Sequence, residues 1–355
     1  RQTFKCFGCG AGGDVFAFIQ LKEKVDFPEA RRLLAERAGI SLENEHYSGR
    51  TSSSGPGKSE LTKINEWALQ IFCRQYEGVP GQVARQYVQQ RGISEASSKD
   101  WGLGLAIDSF DSICQQARRA KIDSRLLLAA GLLKEGDHGR IYDTFRNRLM
   151  FPIRDVTGRI IGFGGRTLAD DPAKYLNTPA TVLFDKSSNL FGIDRAKHAA
   201  SKIGRIIVVE GYTDCIMAHQ HGFQETVATL GTAMTESHAG LLKRYCDRVV
   251  LVFDSDEAGQ NAADRALAVT LVSGLDVTLA RVPEGKDPCD FLVAQGADAL
   301  QAVLAQATEA LEYKWRLLCR RLTENDSMAG RKQAAEDFLR FVAMSLHRHA
   351  VDAIS

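Results

Sequence analysis

At 355 residues, with 44% hydrophobic and 25% charged side chains, the chain carries enough apolar material for two or more domains with cores of their own. No apolar stretch reaches the ~20 residues of a membrane helix, no secretory leader opens the chain, and the eight cysteines follow no disulfide rhythm, so no membrane partner and a cytoplasmic setting are expected. The net charge of +1 conceals an uneven distribution: residues 139–197 hold ten Lys/Arg against six Asp/Glu, and residues 201–300 hold eight against fourteen. A basic region beside an acidic one suits a protein that holds a polyanion near a bound cation, although solvated surface charge gives the same counts.

Arg1 rather than Met stands first, and the sequence reads as a fragment. Residues 1–46 read as a small unit that opens on Cys6-Phe7-Gly8-Cys9-Gly10, the spacing of a two-cysteine zinc knuckle. Structural zinc takes four ligands, and His46 is the other candidate nearby, so the site is expected to be incomplete. Residues 47–59, rich in Ser and Gly, read as a flexible linker. Residues 60–202 form a basic α+β region: helical patterns run from Leu61 to about Leu133, and short apolar runs with turn signals such as Asp155-Val156-Thr157-Gly158 follow from Ile141 to Phe163.

In residues 203–296, strands are expected at Arg205–Val209, Val227–Leu230, Arg248–Phe253 and Asp276–Val282. Helices are expected at Cys215–His221, Glu236–Tyr245, Glu257–Val272 and Cys289–Gln295. This alternation predicts an α/β fold with a parallel sheet flanked by helices. Residues 297–355 read as a helical end.

Ligands of open α/β sheets bind beyond the carboxyl ends of the strands, and three predicted strand ends carry acids: Glu210-Gly211, Asp254-Ser255-Asp256, and Asp287-Pro288-Cys289-Asp290. Alternate residues leaving a strand point the same way, so Asp254 and Asp256 can face one ion. Clustered carboxylates call for a cation, and hard oxygen donors favour Mg²⁺ or Mn²⁺. Each acid taken singly could equally cap the helix that follows it.

Glu210-Gly211 and Asp254-Ser255-Asp256 resemble the Toprim domain over roughly residues 203–295. That resemblance implies metal binding by Asp254 and Asp256 and proton transfer or metal contact by Glu210. Three further stretches are similar to the DnaG family of replicative primases: Gly211-Tyr212-Thr213-Asp214, Thr229-Leu230-Gly231-Thr232-Ala233, and Phe145-Arg146-Asn147-Arg148 through Arg154 to Gly162-Phe163-Gly164-Gly165-Arg166. Lys174-Tyr175-Leu176-Asn177-Thr178-Pro179 and Phe184-Asp185-Lys186 are similar to it as well.

The resemblance implies RNA primer synthesis on single-stranded DNA from ribonucleoside triphosphates. Arg146, Arg148, Arg154, Arg166, Lys174, Asn177 and Lys186 would line the groove. The catalytic acids would be Glu210, Asp254, Asp256 and Asp287, the last as an auxiliary metal ligand. Cys6 and Cys9 would be zinc ligands in the intact protein, and a replicative helicase would dock on a domain beyond Ser355. The glycines of 162–165 are expected in a turn that admits a ligand, Phe163 or Tyr175 as a base-stacking ring, and Arg146 with Arg148 on one strand face. The family's Asp-Pro-Asp reads Asp287-Pro288-Cys289-Asp290 here, which leaves the role of Asp290 open between metal contact and helix capping. A Toprim nuclease or topoisomerase, or a binding module without turnover, are the competing readings.

Overall fold

In a computed structural model of the chain, the described residues are 3–8, 10–23, 27, 30–31, 34–35, 38, 56–136, 139–253, 263, 265–267, 269–270, 273–282, 287–324 and 327–352. They divide into two compact units, Arg1–Gly55 and Pro56–Ser355.

The first unit is built on a hairpin. Strands β1 (Thr3–Lys5) and β2 (Gly12–Asp14) pair antiparallel, and the turn between them is closed by Cys6 N–H donating to the Ala11 carbonyl at 2.7 Å. Helix α1 (Val15–Glu23) follows at once because Asp14 Oδ1 accepts the Ala17 N–H at 2.9 Å, satisfying an otherwise unpaired first-turn donor.

The second unit opens with α2 (Lys58–Glu77), which starts inside the stretch expected to be linker. Its buried residues Leu61, Ile64, Ala68, Ile71 and Phe72 recur at helical spacing and lie along one stripe. Helices α3 (Gln82–Gln90) and α4 (Glu95–Trp101), strand β3 (Gly104–Ala106), and helices α5 (Ser112–Arg119) and α6 (Ser124–Ala129) follow. Then come the hairpin β4 (Leu133–Glu135) and β5 (Ile141–Asp143), and strands β6 (Arg148–Arg154), β7 (Ile160–Thr167) and β8 (Tyr175–Asn177). The sheet β3-β6-β7-β8 is antiparallel throughout.

Residues 148–153 of β6 are all buried, because both faces of the strand are covered. Met150 shares a core with Phe72 and Phe163, whereas Leu149, Phe151 and Ile153 share another with Tyr212, Phe191 and Ile207. Period-two alternation thus sends one set of side chains toward α2 and the other toward the parallel sheet. The Gly162–Gly165 run lies inside β7 rather than in a turn. A Cβ on Gly164 would come within 2.2 Å of the Tyr212 hydroxyl, so its close approach is to the protein's own tyrosine.

Next come α7 (Ile193–Ile203), β9 (Arg205–Val209), α8 (Tyr212–Gln220), β10 (Thr226–Ala228), α9 (Glu236–Lys243), β11 (Arg248–Phe253) and β12 (Asp276–Arg281). With β13 (Thr308–Glu309) these strands form a sheet ordered β10-β9-β11-β12-β13, parallel except at its last member. Ile207, Val209, Val250 and Val252 face the layer shared with the antiparallel sheet, and Ile206, Val208, Val249 and Leu251 face the opposite one. Helix α10 (Pro288–Ala305) breaks its helical geometry at Gly296, where φ is +78°.

The end of the chain is not helical throughout. Strand β13 (Thr308–Glu309) pairs antiparallel with β12 before α11 (Ala310–Glu324) and α12 (Met328–Asp352). Among the described residues, no helix is long and apolar enough to cross a membrane.

Candidate functional site

The acids expected to do chemistry follow the carboxyl ends of parallel strands. Glu210 comes directly after β9 and is partly exposed, while Asp254 and Asp256, beyond the end of β11, lie outside the described residues. The turn after Glu210 is set by a buried carboxylate. Asp214 Oδ2 accepts the Gly211 N–H at 3.1 Å, and its Oδ1 accepts the Cys289 N–H at 3.0 Å, joining the starts of α8 and α10. Glycine is needed at 211 because a Cβ would come within 2.6 Å of Asp214 Oδ2.

Asp287 caps α10, with Oδ1 accepting the Asp290 N–H at 2.6 Å. Its other oxygen pairs with Arg91 Nη2 at 2.9 Å, and Arg91 Nη1 pairs with Asp290 Oδ1 at 2.7 Å. Asp214, Asp287 and Cys289 bring ligand atoms within 4.8 Å of one another. That trio suits a divalent ion poorly. Asp287 already holds a guanidinium, the Asp214 oxygens hold N–H donors, and burial pushes the Cys289 thiol up to about 12, so it stays a neutral S–H. Glu210, Asp254 and Asp256, the acids expected from the sequence to hold a cation, are by residue type all carboxylates, the hard donors that divalent ions of this kind take.

The basic residues expected to line a groove divide into pinned and accessible groups. Arg148 is turned inward: Nη1 donates to the Ala173 carbonyl at 2.9 Å and Nη2 pairs with Asp171 at 2.7 Å. Arg146 precedes β6 rather than sharing a strand face with Arg148, because Asn147 between them takes φ +48°. Its guanidinium lies 3.9 Å over the ring of the exposed Phe110. Arg154 sits at the far end of β6, ~20 Å along the strand at ~3.3 Å per residue, where Nη1 donates to the Gly158 carbonyl at 2.8 Å.

Arg166 lies 4.1 Å over the ring of Tyr87, with Tyr175 at 6.0 Å. Burial pushes the Tyr87 hydroxyl up to about 12, so that ring stays neutral. Phe163 is fully buried against Phe72 and is not a stacking ring, whereas Tyr175 is partly open to solvent. Lys174 and Lys186 are exposed.

Asn177 is the joint between the two sheets. Its Oδ1 accepts the Tyr212 hydroxyl, and its Nδ2 donates to the Leu230 carbonyl, beyond the end of β10, at 2.7 Å. Tyr212 itself stacks on Phe151, ring centroids 4.8 Å apart. The edge of the basic sheet is thereby fastened beside the carboxyl ends of the parallel strands.

Sequence reasoning missed Phe110, Arg91 and Tyr87. Phe110, Arg118, Arg140 and Tyr142 line one pocket, and only an exposed aromatic in a polar loop signalled it. In the first unit Cys6 is exposed; Cys9 and His46 lie outside the described residues.

Three families match the chain. Residues 1–50 match the CHC2 zinc finger, 71–197 the DNA primase catalytic core, N-terminal domain, and 207–292 the Toprim-like family. The DNA primase of Deinococcus radiodurans is 42% identical over 316 residues, which are 88% of this chain and 53% of that protein. The DNA primase of Mycobacterium tuberculosis is 38% identical over 344 residues, which are 93% of this chain and 53% of that one. The chain therefore spans about half the length of the curated relatives it matches.

Among solved structures, a DNA primase domain from Pseudomonas aeruginosa superposes with a TM-score of 0.72 at 36% identity, covering 80% of this chain and 90% of that one. A DnaG primase catalytic domain bound to single-stranded DNA gives 0.71 at 32%, covering 81% and 93%. The zinc-binding and RNA polymerase domains of the Aquifex aeolicus primase give 0.70 at 30%, covering 99% and 83%.

Proposed function

Because the chain belongs to the DnaG family of bacterial DNA primases, we propose that it is the zinc-finger and catalytic portion of an enzyme that makes RNA primers on single-stranded DNA. One observation carries this reading. Asn177 bonds both Tyr212 and the Leu230 carbonyl, so a basic, aromatic-bearing sheet edge meets the carboxyl ends of the parallel strands. A polyanion laid along the one is presented to the carboxylates of the other.

Arg146 with Phe110 offers a guanidinium for a template phosphate and a ring face for a base. Arg166, Lys174 and Lys186 supply positive charge for the incoming ribonucleoside triphosphate. Glu210, Asp254 and Asp256 would hold the divalent ion, Mg²⁺ or Mn²⁺, which would supply positive charge against the triphosphate and the leaving group. In each step a 3′-hydroxyl oxygen bonds to the α-phosphorus of the incoming triphosphate, the α–β bridging P–O bond breaks, and pyrophosphate leaves. Glu210 accepts the hydroxyl proton. Cys6 and Cys9 contribute to the zinc site, and the longer protein's C-terminal domain engages a replicative helicase in the cytoplasm.

The test is ribonucleotide incorporation on unprimed single-stranded DNA with Mg²⁺ or Mn²⁺, comparing the full-length protein with its Asp254→Ala variant. Template-dependent product that falls at least ~1,000-fold in the variant is expected. DNA cleavage without ribonucleotide incorporation would replace this reading with a Toprim nuclease.

A further inference from the structure

At the third strand end the structure already contains a cation. Arg91 lies just beyond α3, on the far side of the unit's sequence from α10, yet its two terminal nitrogens reach two carboxylates of one helix turn. A guanidinium fork that bridges Asp287 and Asp290 does what a divalent ion does there: it neutralises paired carboxylates from a position between them.

Arg91 is held in place by its surroundings rather than by those two bonds alone. Its carbonyl accepts the thiol of the buried Cys289 at 3.5 Å. Gly92, at φ +74°, packs so closely that a Cβ would come within 2.7 Å of Val293 Cγ2. Gln220 of α8 then clamps the segment from the other side, donating to the Gly92 carbonyl at 2.9 Å and accepting the Ser94 N–H at 2.9 Å. The backbone from which the side chain reaches the two acids is thereby fixed, and the guanidinium itself is held by Asp287 and Asp290.

The sequence around it fits the same arrangement. Cys289 stands where the DnaG resemblance expects a second aspartate, and Asp290, one residue later, faces Arg91. A metal site would lose a ligand by that change. An arginine bridge gains one.

We propose that Arg91 is the resident cation of the Asp287/Asp290 end, and that it withdraws these acids from divalent-metal binding. Metal binding is left to Glu210, Asp254 and Asp256. The inference rests on the primase reading only for the identity of that remaining metal set. Arg91 is a positioning residue: it fixes the start of α10, whose Cys289 N–H bonds the Asp214 that shapes the Glu210-Gly211 turn.

The test is Mn²⁺ titration of the full-length protein, followed by loss of the electron paramagnetic resonance signal of free Mn²⁺, with folding checked by thermal melting. Asn at 287 keeps the helix cap and removes only the charge. Asp287→Asn is therefore expected to bind as many Mn²⁺ as the wild type, and Arg91→Gln one more per chain. Arg91→Gln combined with Asp287→Asn returns to the wild-type number, and Arg91→Lys, which keeps the charge, shows no gain. Loss of Mn²⁺ in Asp287→Asn, or no gain in a folded Arg91→Gln, overturns the proposal. Asp254→Asn separates the two readings: if it keeps its full Mn²⁺, the metal set assigned under the primase reading fails, whatever Arg91 does.

Discussion

Arg146 and Arg148 stand two residues apart in one motif, and the antiparallel sheet treats them in opposite ways. Arg148, inside β6, is buried and answered by the protein's own oxygens, the Ala173 carbonyl and Asp171. Arg146, two residues before the strand and across a left-handed Asn147, lies over the ring of an exposed phenylalanine. At the acidic ends of the parallel strands, Asp287 is paired with Arg91, and Glu210 is partly exposed at the carboxyl end of β9. Charge type alone does not separate scaffold from site here. What separates Arg148 from Arg146 is that oxygens of the protein itself already hold the guanidinium of Arg148.

Arg148→Ala is expected to cost about 3 kcal/mol of unfolding free energy, because it removes a buried side chain and the bonds it makes to the Gly165 and Ala173 carbonyls and to Asp171. Denaturant unfolding measures this, and a cost below ~1 kcal/mol would place Arg148 with the accessible group. Arg146→Ala should shift stability by no more than ~0.5 kcal/mol. It should weaken single-stranded DNA binding and reduce the slope of log affinity against log salt by about 1. An unchanged slope would remove Arg146 from the groove.

The smallest effect concerns Asp143. Its carboxylate accepts the Ile113 and Cys114 N–H groups at the start of α5, yet burial still pushes its carboxyl up to about 6, above its unfolded value near ~3.9. The folded state therefore takes up a proton more readily than the unfolded one. Relative to an Asp143→Asn variant, the wild type should gain stability as pH falls from 8 through 6 toward 4. Urea midpoints of the pair at pH 8 and pH 5 measure this. A difference independent of pH would show that the group titrates at its ordinary value.

The parallel strands at 205–209 and 248–253 were readable because uninterrupted β-branched runs bounded by Arg and an acid admit few other placements. Glu210 was readable for the same reason: a carboxylate at a strand's carboxyl end needs no distant information. The Gly162–Gly165 run was misread as a turn because four residues with three glycines give a turn signal locally, while the packing of Tyr212 against Gly164 comes from 48 positions downstream. Arg148 was misplaced because alternation along a strand tells which face a side chain takes and not whether an acid waits there. Asp171 reaches it from 23 residues away. Arg91 meets Asp287 across 196 residues, a separation no periodicity can span.

Tyr212 inserts its ring among Phe151, Phe191 and the backbone of Gly164, and side chains of both sheets mix in that one core. A hinge between the sheets would have to expose this aromatic cluster to water at each opening. The span between the basic sheet edge and the carboxyl ends of the parallel strands is therefore a fixed gauge, set when the chain folds. Anything laid along the one meets the other at a single distance, as work meets an unmoving anvil.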